Sequence, residues 1–108
     1  MKIKIYTKQM VMRMGSGWLN PNEANATYAK YLQSQIAADL RKTYPDAEID
    51  VNVEASTDAG YDEPMSAWVD DTSKAHQVES IVKKTISKAW GDWVDSEEAE
   101  AFLPDNQK

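Results

Sequence analysis

The sequence predicts an α+β fold, a small three-stranded sheet packed by two helices in the order β-α-β-β-α. Three observations lead there: short segments that alternate charged and apolar residues, two long segments of helical periodicity, and turn-forming residues between them. At 108 residues, 42% apolar and with four Trp and five Tyr, the chain supports one compact domain rather than two. That domain is expected over residues 1–103, with a disordered tail at 104–108.

Lys2 to Lys8 puts Ile3, Ile5 and Thr7 on one side and Lys2, Lys4, Tyr6 and Lys8 on the other, the period of a half-buried strand. Met10, Val11, Met12 and Met14 are then apolar on both faces until GSG at 15–17 interrupts the pattern. In NPNE at 20–23, Asn20 is placed to cap a helix, Pro21 suits its first position and Glu23 completes a capping box. Ala24, Tyr28, Leu32, Ile36 and Leu40 form its buried stripe, and Tyr44-Pro45 stops it just after Thr43.

EIDVNVEA at 48–55 is the second strand, with an apolar face of Ile49, Val51, Val53 and Ala55 and an almost wholly acidic one of Glu48, Asp50, Asn52 and Glu54. Beside the lysine-rich first strand, those acids would be neutralised across the ladder. TDAGYDEP at 57–64 reads as the tip of a hairpin into a third strand, Met65 to Val69. Asp70 to Ser73 offers caps for a second helix that turns Ala75, Val78, Val82, Ile86, Ala89 and Trp93 inward and carries Lys74, Lys83, Lys84 and Lys88 elsewhere. Gly91 is expected to perturb or end that helix, with Asp95 or Ser96 capping a short last turn through Phe102.

Composition excludes several classes of function. With no cysteine there is no disulfide framework, thiolate zinc site or cysteine nucleophile. No segment reads as a signal peptide or a membrane span, so a cytoplasmic protein is expected. The net charge of -6 is segregated: Thr43 to Ser73 and Ala89 to Gln107 are rich in Asp and Glu and hold no Lys or Arg. Such a surface is repelled by nucleic acid and anionic membrane and attracted to basic proteins.

With Tyr44, Pro45 and Asp46 followed by the alternating Ile49, Val51 and Val53, and a final helix ending in AWGDWVDSEE, the chain resembles the DinI family of small bacterial and phage proteins. The resemblance implies a three-stranded sheet backed by two helices and a protein that acts by binding another protein, in that family the RecA recombinase filament. It also implies that the carboxylates Asp92, Asp95, Glu97 and Glu98 belong to an acidic helix that occupies a site otherwise used by DNA.

Two groups of residues are therefore candidates for partner binding. The first is Trp90, Trp93, Asp92, Asp95, Glu97, Glu98 and Glu100, in which at least one ring belongs to the core and the other is free to anchor an interface rimmed by acids. The second is Asp58, Asp62, Glu63, Asp70 and Asp71. Spaced carboxylates imitate phosphates and compete for a site built to neutralise nucleic acid. The expected partner is thus a basic nucleic-acid-binding protein, either a recombinase filament or a bacterial defence complex targeted by a phage antagonist of the anti-CRISPR or anti-restriction type.

No cofactor, metal or catalytic activity is expected. Asp58, Asp62 and Glu63, joined by Asp70 and Asp71, offer oxygen ligands but lack EF-hand spacing. His76 has no partner at triad spacing, and GSG is too short for a phosphate loop. The sequence leaves monomer and homodimer both open, and the alternative class is a structural or assembly protein that self-associates through Met10, Met12, Met14, Trp18 and Trp68.

Overall fold

A computed structural model describes residues 1–9, 21–55 and 63–97. Its elements are β1 (Lys2–Gln9), α1 (Pro21–Thr43), β2 (Glu48–Ala55), β3 (Glu63–Val69), a 3₁₀ turn (Thr72–Lys74) and α2 (Ala75–Val94). The α+β class and the order β-α-β-β-α are those predicted. Asn20, residues 10–18, the 98–102 turn and the 104–108 tail lie outside the described residues.

The strand order is β2-β1-β3. β1 runs parallel to β2, with Ile3 opposite Ile49 and Ile5 opposite Val51, and antiparallel to β3, with Ile3 opposite Val69 and Ile5 opposite Ala67. The expected β2–β3 hairpin is therefore corrected: β1 lies between the two strands. Its inner face explains why, since Ile3, Ile5 and Thr7 are 1%, 2% and 0% exposed, and only a central strand is roofed so completely while pairing along both edges. The helix between β1 and β2 supplies the crossover that a parallel pair needs. β2 and β3 are thus two strand spacings apart, about 10 Å, with β1 between them.

Both helices cover the same side of the sheet. Ala24, Tyr28, Leu32, Ile36 and Leu40 of α1 are buried as predicted, against Val51 and Val53 of β2 and Val78, Val82, Ala89 and Trp93 of α2. Each large apolar side chain so buried contributes about 1.5 to 3 kcal/mol. Three contacts show α1 and α2 to be antiparallel. Tyr44 Oη donates to Gln77 Oε1 (2.5 Å), Thr85 Oγ1 donates to Asp39 Oδ2 (2.6 Å), and the Tyr28 and Trp93 rings meet edge to face with centroids 5.4 Å apart. Burial, reinforced by the neighbouring Tyr31, pushes the Tyr28 hydroxyl up to about 12.

The expectation that Gly91 ends or perturbs α2 is also corrected, because the helix runs regularly through it to Val94. A Cβ at Gly91 would meet nothing within 4 Å. The glycine therefore costs helix propensity, about 0.5 to 1 kcal/mol relative to alanine, without breaking the ladder. What ends α2 is Ser96, whose Oγ–H and N–H both donate to the Trp93 carbonyl, at 2.5 and 2.9 Å. Among the described residues, no helix is long and apolar enough to cross a membrane.

Candidate protein-binding surface

The sheet face away from the helices is open and striped by charge. Strand alternation puts Lys2, Lys4, Tyr6 and Lys8 of β1 on that face, between Glu48, Asp50, Asn52 and Glu54 of β2 and Ser66 and Trp68 of β3. The register sets Lys2 beside Glu48, Lys4 beside Asp50 and Lys8 beside Glu54, as the alternation of the two segments anticipated. Lys2 Nζ lies 4.0 Å from Glu48 Oε2, and Tyr6 Oη donates to Glu54 Oε2 at 3.0 Å. These are exposed contacts worth at most about 1 kcal/mol each, so they balance charge more than they hold the sheet together. On β3, Trp68 is 50% exposed, with Lys4 Nζ 5.8 Å from its ring centroid.

Of the candidate acids, Asp70 and Asp71 precede α2, and Asp92, Asp95 and Glu97 lie at its finish. At its start, Asp71 is part of the local structure: its Oδ1 accepts from Ser73 Oγ (2.6 Å) and from Ser73 N (3.2 Å). These bonds hold the Asp71 carboxyl below the usual carboxylate range. Burial, followed by the nearby Asp71 charge, raises the Tyr44 hydroxyl at the end of α1. The sequence assigned this capping role to α2 itself, but Asp71 caps the 3₁₀ turn that precedes it.

At the other end, Asp92 and Asp95 are exposed in the last turn and C-cap of α2, which holds no basic residue in that turn, and Glu97 follows them, also exposed. Among the described residues, no ion pair or side-chain hydrogen bond engages these three carboxylates. Asp92 and Asp95 also face the negative end of the helix macrodipole, where a carboxylate is unfavourable by about 0.3 to 1 kcal/mol. Local folding does not account for their presence.

Topology decides which acidic segments share an end of the molecule. Gln9 is in register with Ala55, and Lys8 with Glu63, so the top of β1, the end of β2 and the start of β3 lie together. The antiparallel helix pair brings the C-terminal end of α2, beside Tyr28, to that same end. Asp70 and Asp71 do not belong to this group: they follow the far end of β3, about 20 Å along the strand from Glu63. The fold thus separates Asp70 and Asp71 from Glu63, with which the sequence had grouped them, while Asp58 and Asp62 lie outside the described residues. Among the described residues, no group of three or more His, Asp or Glu is gathered to hold a metal ion.

Trp93 is fully buried, so of the two rings it is the one that belongs to the core, as its place in the inward-facing stripe of α2 predicts, and it leaves the set of candidate binding residues. Trp90 lies within α2, Glu63 opens β3, and Asp58, Asp62, Glu98 and Glu100 fall outside the described residues.

Two features were missed by sequence reasoning. The first is the Asp39–Thr85 link between the helices, whose only signal was a threonine on the otherwise apolar Val78, Val82, Ala89 stripe. The second is the outer edge of β2, where Gln33 Oε1 of α1 accepts from Val53 N at 3.2 Å. No local pattern foretold that contact, because it depends on β2 being an edge strand. Comparison of the chain with protein-family models, curated proteins and solved structures finds no match.

Proposed function

We propose that this protein acts by binding another protein, presenting an acidic, nucleic-acid-mimicking surface at the C-terminal end of α2 to the basic groove of a DNA- or RNA-handling protein. The observation that carries this reading is the position of Asp92 and Asp95, exposed, unpaired among the described residues, and set against the helix dipole. Carboxylates that cost the helix stability and satisfy no neighbour are explained by a partner that supplies the opposite charge. Glu97, also exposed, extends the acidic surface. The resemblance to DinI-like proteins favours a RecA-type recombinase as the partner, and a phage-encoded antagonist of a defence complex would use the same chemistry.

Charge reversal tests the reading. Substituting Asp92→Lys, Asp95→Lys and Glu97→Lys together removes unfavourable dipole interactions, so the variant should fold at least as well as the parent. Immobilised parent protein should capture a nucleic-acid-binding protein from nuclease-treated bacterial lysate and release it to salt or duplex DNA, whereas the reversed variant should capture none. Capture that survives the reversal, or that neither salt nor DNA disturbs, would overturn the mimicry.

A second reading, assembly through self-association, is favoured by the half-exposed ring of Trp68 on the open sheet face. It predicts a concentration-dependent mass in sedimentation that Trp68→Ser lowers. A monomer at high concentration would count against it.

A further inference from the structure

The outer edge of β2 combines three features that the acidic end does not use. First, peptide groups alternate in direction along a strand, so the N–H and C=O groups of Ile49, Val51 and Val53 point away from β1. Gln33 satisfies the Val53 N–H, and among the described residues nothing bonds the outward groups of Ile49 and Val51. Second, these groups form one wall of a groove of about 370 Å³ whose other wall is Gln33, Ser34, Ala37 and Arg41 of α1. Third, the side chains that flank this edge on the open sheet face are Glu48, Asp50 and Glu54, which face lysines only on their β1 side.

From this juxtaposition we infer that the outer edge of β2 docks an extended, Lys/Arg-rich segment of a partner protein, added to the sheet as a fourth strand. Main-chain bonds to Ile49 and Val51 give such a segment its register, and alternate side chains decide its composition. On the open face its residues stand beside Glu48, Asp50 and Glu54, so a basic residue at every second position extends the plus–minus alternation by one strand. The intervening residues face the small and polar wall of Ser34, Ala37 and Gln33, with Arg41 opposing a second run of bases there. A second copy of this chain does not fit, because pairing β2 with β2 across a two-fold axis sets acids against acids. A nucleic acid does not fit either, since its phosphates would meet the same carboxylates. The inference rests on the reading of this protein as a binder of a basic partner, and it names the kind of segment that partner contributes.

The test uses the ¹⁵N-labelled full chain and a blocked peptide alternating lysine and threonine over seven residues. Amide hydrogen exchange at Ile49 and Val51 should slow by about tenfold at saturating peptide, as expected for amides that become bonded. Three controls separate strand addition from charge attraction. A peptide N-methylated at alternate residues should give no protection, a glutamate-for-lysine peptide should not bind, and Asp50→Lys should weaken binding by about tenfold. The inference is overturned if no protection appears at millimolar peptide, if the N-methylated peptide binds as tightly, or if the protected amides lie elsewhere, such as at Asp92 to Glu97. The Asp92→Lys, Asp95→Lys, Glu97→Lys variant keeps the two readings apart. Protection at β2 should persist in it even though lysate capture is lost, and capture without β2 protection in the parent would leave the acidic end standing and remove the edge.

Discussion

The two ends of α2 carry carboxylates of the same type and put them to opposite use. At the start, Asp71 accepts two hydrogen bonds from Ser73 and lies on the side of the turn where exposed N–H groups welcome negative charge. At the finish, Asp92 and Asp95 stand where the helix ends in carbonyl oxygens, with no bonded neighbour among the described residues and no basic residue in the turn. An acid that stabilises its own turn needs no further explanation. One that works against its helix has no such local explanation, and counting charge along the sequence does not distinguish the two.

Substitutions test how each end of α2 is held. The largest effect is expected at Trp93, fully buried against Tyr28, where Trp93→Ala should destabilise the fold by about 3 to 5 kcal/mol in chemical denaturation. A much smaller loss would mean that the acidic end is not rigidly seated on the core. Thr85→Val, which keeps the side-chain volume but removes the donor to the inward-facing Asp39 carboxylate, should cost about 1 to 3 kcal/mol. A neutral result would detach the helix–helix polar link from the account of why the α2 end holds its position.

Two substitutions at the C-terminal end should move stability the other way. Gly91→Ala is expected to stabilise by about 0.5 to 1 kcal/mol, since the added methyl enters open space in a regular helix. Asp92→Asn and Asp95→Asn should each raise the melting temperature slightly, by the equivalent of about 0.3 to 1 kcal/mol, with the gain shrinking in high salt. If either neutralisation were destabilising, that carboxylate would have a structural role after all.

Asp71→Ala should lower the melting temperature at neutral pH, and its pH dependence carries a sign. The Asp71 carboxyl is held below its ordinary range in the folded state. Its contribution is therefore complete above the unfolded-state carboxylate range and is lost as pH falls through the folded value. Parent and Asp71→Ala melting temperatures should accordingly converge in acid, and a constant difference across that range would refute the capping role.

Much of the fold was legible because its signals are local. The period of two in Lys2 to Lys8 and in Glu48 to Ala55, and the period of 3.6 in Ala24 to Leu40 and Ala75 to Trp93, each follow from which side chains one element turns inward. The candidate site was legible only as composition. The acids at 92, 95 and 97 are exposed and Trp93 is core, as its place in the inward-facing stripe predicts; what no local pattern shows is its neighbour, since Tyr28 is 65 residues away in the chain.

By itself, then, the sequence determined the elements, their buried faces and the segregation of charge, since these depend on residues within a few turns of one another. Tertiary structure alone decided that β1 lies between β2 and β3, that Asp70 and Asp71 lie at the opposite end from Asp92 and Asp95, and that, among the described residues, β2 keeps an open edge beside α1. The reason is that strand order is chosen by competition among distant pairings. The most completely buried strand took the centre and both ladders, and that choice fixed which carboxylates became neighbours.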